Sequence, residues 1–191
     1  MSTNSVVAYL NEDGSVVSSY VHYDGYETGV GMMLLEHYNT DKCARDLAST
    51  LGYASSLSET VAESHADRAH TDEPETFESM EEFELYLMEN SHLEFGYLWT
   101  GGKWMVASWT TTVEGTGPYA EYNSTWNGFS WLVTSFVRSG RKTVDRFRDL
   151  ALEDNREGRN EYDEFADELE VTVDKWHRYG MGEIASEAMA A

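Results

Sequence analysis

Leu93-Glu94-Phe95-Gly96-Tyr97-Leu98-Trp99-Thr100-Gly101-Gly102-Lys103-Trp104-Met105-Val106-Ala107-Ser108-Trp109 decides the fold. Leu93, Phe95, Tyr97 and Trp99 recur at every second position, the period of a strand with one buried face. Gly101-Gly102 supplies the positive-φ pair of a two-residue hairpin turn, and Lys103 to Trp109 returns. Val6 to Leu10 and Val16 to Tyr23 form a second hairpin of β-branched and aromatic residues, joined by Asn11-Glu12-Asp13-Gly14.

Between the hairpins the period becomes helical. Gly25 and Gly29 end the second strand. Met32, Leu35 and Tyr38 define a helix from Gly31 to Tyr38, and Thr40 caps another that Gly52 stops. Glu59 to Glu94 holds twelve acids and a single base, Arg68. Its first half reads as a loop. Its second half, Phe77 to Met88, reads as a helix with Met80, Phe83 and Leu87 inward and Glu78, Glu81, Glu82 and Glu89 outside that stripe.

Thr110 to Asn127 reads as a Gly/Thr/Tyr loop with room for one more strand. From Gly128, the residues Phe129, Leu132, Phe136, Val144, Phe147 and Ala151 make an apolar helical stripe, interrupted near Ser139-Gly140. Gly158 and Asn160 mark a break. Tyr162, Phe165, Leu169 and Trp176 lie on one face of a last helix, and Glu187 to Ala191 should fray. The expected fold class is α+β: an antiparallel sheet from two hairpins, helices on one face and a helical C-terminal third. Residues 1–127 form the α+β domain, and 128–191 form a helical region on the same core.

Composition bounds function. The 191 residues carry 35 Asp and Glu against 13 Lys and Arg, a formal charge of −22. Such a balance disfavours nucleic acid and anionic membranes as direct partners and favours basic protein clefts. Six Trp, twelve Tyr and seven Phe supply a core despite the self-repulsion. The single Cys43 rules out an intrachain disulfide framework and a cysteine-rich zinc site, and reads as a small core residue. There is no signal peptide and no apolar run near membrane-spanning length, so a soluble intracellular protein is expected, and Asn123-Ser124-Thr125 reads as an accidental glycosylation match.

Tyr20-Val21-His22-Tyr23-Asp24-Gly25-Tyr26, then Gly31 with Leu34-Leu35-Glu36-His37-Tyr38, then Leu51-Gly52 with Ser55-Ser56-Leu57, resembles a group of small phage-encoded proteins. Their pattern reads Y-x-H-[WY]-D-G-Y, G-x-x-L-L-x-H-Y and L-G-x-x-S-S-L. The hairpin Tyr97-Leu98-Trp99 to Lys103-Trp104-Met105-Val106 is similar to a later segment of the group. The resemblance covers about half the chain and stops near Asn127. Where many members carry an Arg-rich G-R-D-R-G-E stretch, this chain has the acid-rich Glu59 to Glu75, so a role for those arginines does not carry over. The resemblance implies phage origin, hence the cytoplasm of an infected host cell, and little chemistry.

Glu161, Asp163, Glu164, Asp167, Glu168, Glu170 and Asp174 are seven carboxylates without an intervening base. On a helix they give roughly one charge per 3 Å. A nucleic-acid strand has one phosphate per ~3.4 Å. Two readings stand: a solvated helix face, or an anionic face that a DNA-holding cleft takes for polynucleotide, carried by Glu78, Glu81, Glu82, Glu161, Glu164, Asp167, Glu168 and Asp174. Seven of the thirteen bases lie between Arg138 and Arg159, and should pair with Asp145, Asp149, Glu153 or the neighbouring helix, or else form a partner patch.

His22, Asp24 and His37 admit a structural turn, an acid–base pair or a metal site. His65 and His70, five apart, fit one helical face poorly. Ser139 to Thr143 has the end of a P-loop without its upstream glycine and strand, and no other catalytic motif is present. The aromatic row Tyr97, Trp99, Trp104, Trp109, Tyr119, Tyr122 and Trp126 has the composition of a base-stacking platform, but at this net charge it reads as core packing with room for an exposed partner surface. The leading expectation is a phage-encoded acidic inhibitor, a nucleic-acid mimic that uses no cofactor and binds a host DNA- or RNA-binding defence or transcription protein. The alternatives are a small enzyme or metal-binding protein at His22/Asp24/His37, and an acidic structural or salt-adapted protein.

Overall fold

The computed structural model describes residues 2–66, 72–114, 121–153 and 161–182. Among these residues seven strands form one sheet: β1 (Ser5–Leu10), β2 (Val16–Val21), β3 (Tyr53–Ala54), β4 (Glu75–Phe77), β5 (Phe95–Thr100), β6 (Lys103–Glu114) and β7 (Glu121–Trp131). Their order is β3-β2-β1-β5-β6-β7, with β4 also on β2. Among the described residues six α-helices accompany them: α1 (Met32–His37), α2 (Asp41–Thr50), α3 (Val61–Ala66), α4 (Met80–Glu89), α5 (Leu132–Glu153) and α6 (Glu161–Gly180).

Both expected hairpins form. Tyr9 faces Val17 across the first, Trp99 faces Trp104 across the second, and Gly101 and Gly102 have φ of 57° and 76°. The sheet is mixed rather than antiparallel, because β1 and β5 run parallel from Ser5↔Phe95 to Tyr9↔Trp99. A tight turn can only reverse the chain, whereas the long connection carrying α1 to α4 can return it in the same direction. Alternation within β5 records which face is buried and says nothing about the neighbour's direction.

The sheet is covered on both faces, which corrects the expectation of helices on one. Val7, Tyr9, Tyr97, Trp99, Trp104 and Val106 face a core shared with α1, α2, α5 and α6. Val6, Ala8, Val16 and Leu98 face the other way, onto Phe83 and Leu87 of α4. The segment after Glu59 is also more regular than a loop, since it contains α3. Phe77 belongs to β4, and the helix starts at Met80 because Ser79 caps it, its Oγ accepting from the Glu82 N–H at 3.2 Å.

Gly128 and Phe129 lie in β7 rather than in a helix, so a strand crosses the boundary expected at 127/128. The Thr and Ser residues that suggested a loop line up across β6 and β7, with Thr111 Oγ1 and Ser124 Oγ 3.0 Å apart. Hydroxyl pairs of this kind stabilise adjacent strands. The bends expected at Gly158 and Asn160, and the frayed end from Glu187, lie outside the described residues.

α5 is continuous through Ser139-Gly140, where an interruption was expected. A Cβ at Gly140 would stand 2.4 Å from Val173 Cγ2, so the glycine marks a close approach of α5 to α6. α6 buries Ala166, Leu169, Val173 and Trp176 in the core shared with the sheet. Glu36 of α1 anchors its far end: one carboxylate oxygen accepts from Lys175 Nζ at 2.8 Å and the other from the Trp176 indole N–H.

Gly140→Ala separates the two readings of that glycine. A helix interruption replaced by alanine gains up to ~1 kcal/mol from helix propensity. Overpacking of a close crossing costs about 1–3 kcal/mol, and that loss is expected in urea unfolding. Val173→Ala in the same chain should return most of the deficit attributable to the clash.

Candidate functional site

The motif residues that suggested catalysis build a corner between β2 and α1. Asp24 takes a left-handed φ of 58°, which a short polar side chain tolerates. Its carboxylate accepts from the Tyr26 hydroxyl at 3.1 Å, and its carbonyl from the Val30 N–H at 2.7 Å. Gly25 donates its N–H to the Thr3 carbonyl at 2.8 Å, and a Cβ there would lie 2.6 Å from that oxygen. The buried Tyr97 hydroxyl donates to the Gly25 carbonyl at 2.8 Å. A π-helical turn, Glu27–Gly31, then leads into α1.

His22 shares a 3.1 Å hydrogen bond with the Tyr20 hydroxyl and packs edge-on against Tyr23. His37 is exposed at the last residue of α1. No hydrogen bond joins either histidine to Asp24, and the described residues contain no group of three His, Cys, Asp or Glu placed to hold a metal ion. The turn reading accounts for Asp24 and Gly25. His70 lies outside the described residues, as does the side chain of His65.

Burial pushes the Tyr97 phenol well above its ordinary value of 10.0, and the charge of Glu27 adds to it. The folded state therefore keeps a proton that the unfolded chain releases above that value. Stability contributed this way is complete below about pH 10 and falls as pH rises beyond it.

The eight carboxylates proposed from sequence divide between the two sides of the sheet. Glu78, Glu81 and Glu82 lie at and before the start of α4, on one side; Glu161, Glu164, Asp167, Glu168 and Asp174 lie on α6, on the other. They do not form one continuous wall. All are exposed except Asp167, which is intermediate.

The α6 group is partly neutralised. Arg148 of α5 reaches Asp167 at 2.9 Å and Glu170 at 2.6 Å. Arg141 also reaches α6 but meets His177, not a carboxylate, at 3.1 Å. Of the basic run on α5, Arg148 pairs with acids of the neighbouring helix; among the described residues no ion pair runs along α5 itself. Glu161, Asp163 and Glu164 occupy the first turn of α6, where the positive end of the helix dipole favours carboxylates for structural reasons.

The α4 group has no such counterweight. Residues 72–94 carry nine carboxylates and no Lys or Arg. Among the described residues, none of the nine takes part in an ion pair. Glu82 has a local duty: its Oε2 accepts from the Glu78 N–H at 2.6 Å and completes the cap.

The aromatic row divides as well. Tyr97, Trp99 and Trp104 are buried, and the Trp99 and Trp104 indoles donate to Asp41 at 3.2 Å and to the Tyr38 carbonyl at 3.0 Å. Trp109 and Trp126 pair at 5.5 Å on the β6–β7 ladder, Tyr119 lies outside the described residues, and the Tyr122 side chain does too. Cys43 is half-buried against the main core. No helix among the described residues is long and apolar enough to cross a membrane. Comparison of the chain with protein-family models, curated proteins and solved structures finds no match.

Tyr97→Phe tests the corner. Loss of a buried hydroxyl that serves the Gly25 carbonyl should cost about 1–2 kcal/mol at neutral pH in denaturant titration. The same variant should lose less stability than the parent between neutral pH and pH 11.

Proposed function

We propose that this protein acts by binding, and that it presents the carboxylates of β4 and α4 to the positively lined groove of a nucleic-acid-binding protein. The observation that carries this reading is the segregation of charge: nine carboxylates of residues 72–94 stand without a Lys or Arg in the segment and without an ion pair among the described residues. An unpaired acidic face keeps its long-range field, whereas carboxylates beside Arg148 surrender part of theirs. Glu78 and Glu81 are free to meet a partner, since the cap uses Glu82. α6 contributes Glu161, Glu164, Glu168 and Asp174 as a weaker second face.

A cleft built for phosphates recognises field strength and spacing before it recognises atoms. It would be drawn to α4 by steering that salt screens over ~8–10 Å. The phage resemblance of the N-terminal third supplies the biological setting of the proposal: a small protein made in an infected cell and aimed at a host defence or transcription protein. Catalysis at His22, Asp24 and His37 has less support, because the corner geometry already occupies Asp24 and the Tyr20 hydroxyl occupies His22.

The test is binding to a panel of basic host nucleases and transcription proteins across a salt series. Affinity should fall steadily with log salt. The double reversal Glu78→Lys/Glu81→Lys should weaken binding by about tenfold or more, and Glu161→Lys/Glu164→Lys should weaken it less. Salt-independent binding, or binding indifferent to the α4 reversal, removes the proposal.

A further inference from the structure

A cavity of about 370 Å³ lies where β2, β3, β4 and α4 meet, on the same side of the sheet as the α4 carboxylates. Register explains its lining. Tyr20 of β2 faces Tyr53 of β3, and Ser18 of β2 faces Glu75 of β4. Side chains two apart on a strand share a face, so Ser18 and Tyr20 project together and their partners project with them. Tyr86 of α4, Asp72 and Glu73 complete the lining.

Three features of this cavity point to one kind of ligand. The Tyr20 and Tyr53 rings stack with centroids 5.5 Å apart, and Tyr86 adds a third ring to the lining. Asp72, Glu73 and Glu75 bring three exposed carboxylates, and no base lines the cavity among the described residues. Ser18 is 2% exposed and lines the cavity. Its hydroxyl can accept a hydrogen bond from a donor inside the cavity. Tyrosine faces attract cations, carboxylates balance their charge, and the apolar ring surfaces accept the attached carbon chain. The volume sits at the low end of small-molecule sites, ~300–1,000 Å³.

We propose that this cavity binds an alkylammonium group, held by the Tyr20, Tyr53 and Tyr86 rings, with its N–H donors directed to Ser18 and to the surrounding carboxylates. The ammonium belongs either to a free polyamine or to a lysine side chain of a protein partner. Only the second source rests on the function proposed above. The phenols serve as neutral walls: burial pushes the Tyr86 hydroxyl up, the charge of Glu75 pushes it further, and Tyr20 is raised by burial as well.

Calorimetric titration of the full chain at fixed ionic strength tests this, with spermidine, Nα-acetyl-lysine methylamide and magnesium chloride as the three probes. Both amines, or either one, should bind with one-to-one stoichiometry, and magnesium should not displace them. Tyr53→Leu should weaken amine binding by roughly three- to tenfold. Glu75→Gln, a change at an exposed position, should also weaken it, and a melting curve confirms that each variant is folded. Tighter binding of spermidine identifies a free polyamine as the ligand, and tighter binding of the lysine derivative identifies a partner's side chain. No amine binding at millimolar concentration overturns the proposal. So does displacement by magnesium, or amine affinity unchanged in both folded variants, because each shows attraction by charge alone. Salt-dependent partner binding that survives in Tyr53→Leu would leave the acidic-face function standing without the cavity.

Discussion

The outer edge of β2 is the constraint on which the arrangement of charge depends. Val16 to Ser18 pair with β4, and Tyr20 and Val21 pair with β3, so one six-residue strand receives two short partners end to end. The β4 pairing brings the start of the acid-rich segment onto the sheet. α4 then has to lie over Val6, Ala8 and Leu98, because Phe77, Phe83 and Leu87 have no other apolar surface to cover. Its apolar stripe is held inward by this packing, and its glutamates are left outward. The concentration of negative charge is therefore a consequence of strand pairing and burial, and among the described residues no base pairs with it.

The opposite side of the sheet solves the charge problem differently. There α5 and α6 pack at a glycine crossing, and Arg148 bridges two of the acids on α6. Exposed ion pairs of this kind contribute ~0–1 kcal/mol each. Their main effect is electrostatic: they shorten the reach of the α6 field. A chain of charge −22 thus holds one acidic surface that is partly compensated and one that is not.

Much of this was legible in the sequence where a local rule decides the structure. The Gly101-Gly102 turn, the Thr40 cap on α2 and the strand period of Phe95 to Trp99 are all decided within a few residues. Readings failed where a distant segment decides. The parallel β1–β5 pairing depends on the connection between them, and Gly140 looks like a helix breaker until Val173 is placed beside it. The acidic tracts were visible as composition, but their division between two sides of the sheet was not, since it depends on which face of β1 each helix covers. The Tyr20–Tyr53–Tyr86 cavity assembles residues 33 apart at each step, and no single window of sequence contains it.

The central claim is that the face built by β4 and α4, rather than α6, is the one a cationic partner meets. Amide chemical-shift mapping of the isotope-labelled chain during titration with a short lysine oligomer tests it most directly. The account predicts that the earliest and largest shifts fall within residues 72–89 and on Tyr20 and Tyr53. Shifts that begin on Glu161 to Asp174, or that spread evenly over the acidic residues of both sides, would contradict it.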